Sequence, residues 1–370
     1  MDIRKVDHNF LIKSEDPDGL KYYHIPSEPF DLYGVFYEKE TERFVRMPSG
    51  IADSVSKNVG ILNANTAGGR IRFSTDSTRI SVSVKYRGLT SAPHLSFLGA
   101  CGCVLLEERE NETTFVYSFM PGYYGNKQEK KIENGYSITK KIDGGTVKNY
   151  ILYLPNYNDV SELKIGIDEN AFVGHGKKYR EIKPILYYGS SITQGGCASR
   201  ADNSYQALIS KWTNTDYINL GFSGSGLAEE EIVDYMTTID CSVFVCDYDS
   251  NAPNPDYLEK THFRLYEKYR TKCPNIPIVF ISNTYSDAGN MNAEVRFGII
   301  RRTFDTAVMR GDKNVFLIDG MRLFGEEDKE NCTVDGVHPN DLGFYRMAQG
   351  IYRVLKEIKT LSFINLYQSK

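Results

Sequence analysis

The chain has 370 residues, with 44 Lys+Arg against 48 Asp+Glu and a formal net charge of −4. That balance excludes a surface built to neutralise phosphate, so nucleic acid is not an expected partner. With 41% apolar and 25% charged residues the composition is that of a folded globular chain, and the length predicts two domains, placed at 1–175 and 183–370.

No run of 18 apolar residues occurs, which argues against a membrane span, and the start, Met1-Asp2-Ile3-Arg4-Lys5, carries no apolar leader. A cytoplasmic location is the expectation, unless a leader has been removed. The seven cysteines (101, 103, 197, 241, 246, 273 and 332) contain no C-x-x-C pair, and several sit in apolar runs such as Val243-Phe244-Val245-Cys246. Reduced, buried thiols are therefore expected, rather than disulfides or a zinc ribbon.

In chain order, the first 170 or so residues read as β structure. The run Ile80-Ser81-Val82-Ser83-Val84-Lys85-Tyr86 alternates apolar and polar residues, which puts its apolar side chains on one face of a strand. Similar runs occur at 70–73, 94–98, 103–106, 114–119, 149–154 and 163–167, separated by the turn signals Gly68-Gly69, Pro121-Gly122, Asn134-Gly135 and Asp143-Gly144. Short strands joined by tight turns, with no long helical pattern, predict a β-sandwich or jelly roll. Residues 171–180, with two glycines and several charges, are the expected connector.

After Lys183 the rhythm changes. Buried-strand candidates at 184–188, 216–220, 242–247, 277–282 and 314–318 alternate with helical segments at 229–236, 255–269, 293–309 and 341–359. In the last segment Leu342, Tyr345, Ala348, Tyr352 and Leu355 recur at helical spacing and predict its apolar face. Strand–helix alternation implies right-handed crossovers and a parallel sheet covered on both faces, with ligands bound beyond the carboxyl ends of the strands.

Four segments stand at those ends. The first is Gly189-Ser190-Ser191-Ile192-Thr193-Gln194-Gly195-Gly196, a sharp turn exposing a serine, which taken alone reads better as a plain loop. The second, Gly221-Phe222-Ser223-Gly224-Ser225-Gly226, has the order G-x-x-G-x-G and follows the second strand, so it fits a dinucleotide turn poorly. In the third, Asp247-Tyr248-Asp249-Ser250-Asn251, the asparagine taken alone reads better as an Asx turn than as an amide donor.

The fourth is Asp335-Gly336-Val337-His338-Pro339, where a carboxylate three positions before an imidazole can hold its Nδ1–H and leave Nε2 free to accept a proton. A metal pair is the competing reading, but further ligands are scarce among six histidines, and no metal or other cofactor is expected. Taken together the segments supply a nucleophile, oxyanion donors, a base and its orienter, the inventory for acyl transfer.

These blocks resemble those of the SGNH (GDSL-like) hydrolase superfamily. Pro29-Phe30-Asp31-Leu32-Tyr33-Gly34 is in addition similar to the G-x-D-L-Y motif that opens a β-sandwich domain in one branch of that superfamily. The resemblance implies a flavodoxin-like α/β catalytic domain, a five-stranded parallel sheet with helices on both faces, preceded by the all-β domain. It further implies Ser191 as nucleophile, His338 as base, Asp335 as its orienter, and an oxyanion hole from Ser191, Gly224 and Asn251. Ser190 stands where the superfamily usually has Asp, a substitution familiar in the branch with the β-sandwich; a register shifted by one residue would make Ser190 the acylated group.

The branch, and carbohydrate esterases of similar build, imply deacetylation of sugars. Gln194, Cys197 and Arg200 follow the nucleophile and are the expected substrate contacts. The partner expected is a small-molecule or oligosaccharide ester, with neither nucleic acid nor membrane involved and a homo-oligomer left open. Rival readings are a general short-chain lipase or thioesterase-like hydrolase, and a carbohydrate-binding protein with an inert hydrolase domain. The first domain could equally serve as a wall that narrows the cleft. The 26 tyrosines and single tryptophan, Trp212, fit sugar stacking, but core packing is the better reading.

Overall fold

The alternating segments of the first half form two antiparallel sheets packed face to face. The structure, a computed structural model, describes residues 17–89, 91–110, 112–120, 134–284 and 292–361; the Pro121-Gly122 turn lies outside them. One sheet runs Leu20–His24, Val160–Asp168, Arg79–Tyr86, Gly135–Lys141. The other runs Val173–His175, Arg70–Thr75, Lys148–Tyr153, Cys103–Glu108, Thr113–Phe119, with Asp31–Tyr33 also paired to Arg70–Thr75.

Alternation decides what each face meets. Ile80, Val82 and Val84 from the first sheet and Ile71, Phe73, Leu105 and Leu152 from the second fill the sandwich core. The other face of the second sheet, Val104, Leu106, Ile151 and Tyr153, packs into the core of the following domain. Both faces of its central strands are thus buried, and the two halves share apolar interior.

Three expectations in this half change. Residues 94–98 are not a strand: they turn into the short helix Phe97–Cys101, capped by Ser96, whose Oγ accepts from Gly99 N–H at 3.4 Å. Gly99 lies so close to the Ala198 carbonyl that a Cβ would sit 2.1 Å from it, a docking contact that period-2 patterning cannot register. The connector at 171–180 is partly sheet, because Val173–His175 pairs with Arg70–Thr75. Two short helices, Ser49–Val55 and Lys57–Asn63, were not anticipated; their Ala52 and Val59 pack beside Leu186 and Leu220 of the second domain.

The second half is a parallel sheet of Ile185–Gly189, Tyr217–Gly221, Val243–Asp247, Ile278–Ile281 and Val315–Ile318, in the spatial order second, first, third, fourth, fifth. This is the flavodoxin-like order, with its switch point beside the first strand. Tyr187, Val245 and Val279 pack against Tyr205, Phe344, Met347 and Ile351 on one face. Leu186, Phe244 and Phe280 pack against Ile232, Leu258, Leu265 and Ile300 on the other.

The closing helix, Asp341–Leu355, is rotated relative to the expected stripe. It buries Phe344, Met347, Ala348, Ile351, Tyr352 and Leu355, whereas Leu342 and Tyr345 are 39% and 46% exposed. Tyr345 instead meets the edge of Trp212, with ring centroids 5.6 Å apart. All seven cysteines are free thiols, six of them buried. Tyr150, Tyr153, Tyr187, Tyr188, Tyr205, Tyr217, Tyr248 and Tyr269 are core residues, in keeping with the packing reading of the tyrosines. Among the described residues no helix is long and apolar enough to cross a membrane.

Candidate active site

In-register pairing sets the carboxyl ends of three strands side by side: Gly189 of the first stands between Gly221 of the second and Asp247 of the third. The chain then turns into the one-turn helix Ser191–Gln194. Ser190 is fully buried and caps it, accepting from Ile192 N–H at 3.2 Å, and Gly195 ends it at φ 93°, a left-handed conformation that favours glycine. A serine at the Asp position of the first block therefore still performs a capping task. The next residue, Ser191, is left facing the cleft.

The Ser191 hydroxyl lies 2.9 Å from His338 Nε2, and His338 Nδ1 lies 2.7 Å from Asp335 Oδ2. The second Asp335 oxygen accepts the backbone N–H groups of Val337 at 3.0 Å and His338 at 2.8 Å, so the loop folds around its own carboxylate. Burial pushes the Asp335 carboxyl up, but these hydrogen bonds outweigh it and hold the group below its ordinary value, as the anion that an imidazolium needs beside it. A bridge between Thr333 and Pro339 closes the loop, and Asn340 caps the following helix by accepting from Gly343 N–H at 3.1 Å. His338 is thus presented from the base of a capped helix.

The second and third blocks are tied to this helix and to each other. A Cβ on Gly221 would lie 2.2 Å from the Gln194 nitrogen, so only glycine allows that approach. Phe222 N–H donates to Gly189 O at 2.9 Å, and Gly224 has φ 64°. Asn251 Nδ2 donates to Phe222 O at 2.9 Å, which overturns the Asx-turn reading: the amide reaches across to the second block and keeps one N–H to spare. Among the described residues, neither Ser191 N–H nor Gly224 N–H donates to a protein acceptor.

The expected substrate contacts divide. Gln194 is fully buried and does not face the cleft; its amide donates to Asn156 O at 3.0 Å and accepts from Ser223 N–H at 2.9 Å. It is a clamp holding the second block, because the sharp turn after Ser191 directs it inward. Arg200 is also engaged elsewhere: its guanidinium lies 4.6 Å over the Phe115 ring and pairs with Asp202 at 3.0 Å. Cys197 does line a groove of about 540 Å³ together with His94, Leu95, Ser96, Ser199, Val334 and Asn340. Burial pushes its thiol up to about 12, so it stands there as neutral S–H.

Residues of the first domain that sequence reading did not single out complete the site. Tyr157 Oη donates to the Ser191 carbonyl at 3.2 Å, and Asn156 Nδ2 to Gly195 O at 3.3 Å. The His94 ring lies with its centroid 5.1 Å from that of His338. None of these belongs to a motif; the only local signal was Asn156-Tyr157-Asn158, a polar run directly after a buried strand.

A parallel sheet in this order, with serine, histidine and aspartate hydrogen-bonded in series beyond its strand ends, defines an SGNH-type hydrolase domain. The model of the GDSL-like lipase/acylhydrolase family matches residues 182–356, and that of the N-terminus of SGNH-hydrolase-type esterases matches residues 20–173. The chain belongs to this superfamily, in the branch with the GxDLY-type N-terminal domain.

Among solved structures, a putative GDSL-like lipase from Bacteroides ovatus is 28% identical, covering 91% of this chain and 98% of that one, with a TM-score of 0.80. A salicylyl-acyltransferase from a tetracycline biosynthetic pathway shares the fold at 17% identity, covering 95% and 100%, with a TM-score of 0.74. So does a family two carbohydrate esterase from Cellvibrio japonicus, at 10% identity, covering 92% and 98%, with a TM-score of 0.59. No curated protein sequence matches the chain.

Proposed function

We propose that the protein is a serine esterase that removes short acyl groups, acetyl foremost, from acetylated carbohydrate. The observation that carries the reading is the series Ser191 Oγ to His338 Nε2 at 2.9 Å and His338 Nδ1 to Asp335 Oδ2 at 2.7 Å. His338 takes the Ser191 proton as the oxygen attacks the ester carbonyl, and Asp335 stabilises the imidazolium. The oxyanion is held by the N–H groups of Ser191 and Gly224 and by the free N–H of Asn251. Collapse returns the proton to the departing sugar oxygen; water, deprotonated by His338, then releases acetate from the acyl-enzyme.

On this reading the alcohol part of the ester lies in the groove beside His338, lined by His94, Leu95, Ser96, Cys197, Ser199, Val334 and Asn340. The fold shared with a family two carbohydrate esterase is consistent with it. The test is acetate release across acetylated mono- and oligosaccharides, alongside acetyl, butyryl and octanoyl p-nitrophenyl esters. A preference for acetyl and labelling of Ser191 by a fluorophosphonate are expected. An octanoyl preference sinks the carbohydrate-acetate reading in favour of a lipase. An unlabelled Ser191 with measurable oligosaccharide affinity points instead to an inert hydrolase domain serving a binding protein.

A further inference from the structure

Three donors that suit a borderline-soft metal ion meet where the two domains touch. His94 comes from the first domain, Cys197 from the segment after the Ser191 helix and His338 from the loop before the closing helix; one ligand atom of each lies within 4.8 Å of the others. Tetrahedral zinc, with Zn–N of about 2.0–2.1 Å and Zn–S of about 2.3 Å, needs ligand atoms roughly 3.3–3.6 Å apart. A pair at the 4.8 Å limit must draw in by about 1 Å; His94, exposed on a loop, can rotate to close its own distances to Cys197 and His338. His338 is already oriented for such a bond, because a carboxylate on Nδ1 is the usual outer partner of a metal-bound histidine.

The nitrogen this leaves for a metal is Nε2, the same atom that faces the Ser191 hydroxyl. Metal and Ser191 proton therefore compete for one lone pair.

We infer that a divalent cation of the zinc class binds between the domains through His94, Cys197 and His338, and reversibly switches the enzyme off. The switching half of this inference rests on the proposed role of His338; the binding half does not. On binding, the Cys197 S–H proton is released to solvent as the S–metal bond forms, with no change of oxidation state, and a water fills the fourth position. The proximity of His94 to His338 would then give the first domain a part in regulation that its fold alone does not suggest.

The test uses the full chain as its Ser191→Ala variant, titrated with Co²⁺ as a spectroscopic stand-in. A thiolate-to-cobalt charge-transfer band that saturates at about one equivalent and is displaced by Zn²⁺ is expected. Cys197→Ser should abolish the band, and His94→Gln should weaken binding at least tenfold. In the catalytically competent chain, Zn²⁺ should inhibit ester hydrolysis and chelator should restore it; in His94→Gln, at least tenfold more Zn²⁺ should be needed to halve that variant's own zinc-free rate.

Absence of the band, its persistence in Cys197→Ser, or equal zinc sensitivity of His94→Gln overturns the inference. A band in a chain that hydrolyses no ester leaves the metal site standing and removes the esterase reading. Ester hydrolysis without a band does the reverse.

Discussion

The two domains place their polar groups in opposite ways. In the hydrolase domain the sheet is packed by apolar clusters on both faces, and the proposed catalytic groups Ser191, Asp335 and His338 sit beyond the carboxyl ends of its strands. Among the described residues the first domain carries no reactive set of its own, yet it buries three arginines against its neighbour. Arg46 lies 4.4 Å over the Phe222 ring and donates to the carbonyls of Asn219 and Gly221, next to the second block. Burial drags its guanidinium down to about 9.

Arg70 pairs with Asp216 and lies 3.8 Å over the Tyr217 ring. Arg72 pairs with Glu108 at 2.5 Å and donates to Asn214 at 2.8 Å. A buried guanidinium tolerates only the partners it was packed against. The interface is therefore fixed in geometry, and the first domain acts as part of the frame of the active site rather than as a tethered module.

Variants on either side probe that contrast. The largest effect is expected inside the hydrolase domain: Ser191→Ala should lower kcat for p-nitrophenyl acetate by roughly 10⁴ or more with the fold intact by circular dichroism. A wild-type rate would remove the mechanism. On the other side, Arg70→Ala leaves Asp216 without its arginine partner and should cost about 3–5 kcal/mol in urea unfolding, in a single transition. Two separate transitions would show that the domains unfold independently and would break the idea of a common frame. Asn251→Ala comes next, with an expected loss of roughly 10²–10³ in kcat and little change in KM; a loss confined to KM would take Asn251 out of the oxyanion hole.

How far the sequence was legible follows the same division. The hydrolase blocks could be read because each is a few consecutive residues whose turn chemistry and task coincide, as in Asp335-Gly336-Val337-His338. Gln194 misled because position after a nucleophile says nothing about which way a tight helix turns its side chain. The period-2 runs gave the sandwich, but helical phase in the closing segment slipped, since Leu342 and Tyr345 continue the same spacing one step around from the buried face. Arg46 and His94 were not legible at all, and Tyr157 only as part of a polar run after a buried strand: each has a partner in the other domain, and no local pattern marks such a pair.

Just beyond the carboxyl end of the strand Val243–Asp247, a buried acid offers a pH-dependent measure of how dry that region is. Asp249 is pushed up to about 6, first by burial, against the Asn283 N–H and Arg296, which pull it down. Because its folded value exceeds its ordinary one, the folded state binds the proton more tightly. The associated stability is full below about pH 4 and is lost as pH rises through about 6. Asp249→Asn should remove this slope, so that the difference in unfolding free energy between variant and wild type shifts by about 1–3 kcal/mol between pH 4 and 7, in the variant's favour as pH rises. A constant difference across that range would mean that Asp249 is ionised and solvated in the fold.

The smallest expected effect decides whether the first domain reaches the chemistry itself. Tyr157 donates to the carbonyl of Ser191, the residue whose N–H is assigned to the oxyanion, and so bears on the backbone orientation at Ser191 from its C-terminal side, without touching substrate. Removing one such hydrogen bond is worth about 0.5–1.5 kcal/mol. Tyr157→Phe should therefore lower kcat by roughly two- to tenfold with KM and the pH profile unchanged, because a positioning residue alters how well the transition state is held and not which groups titrate. A rise in KM at constant kcat would instead make the domain a wall of the cleft, shaping what enters and leaving the reaction to the hydrolase domain alone.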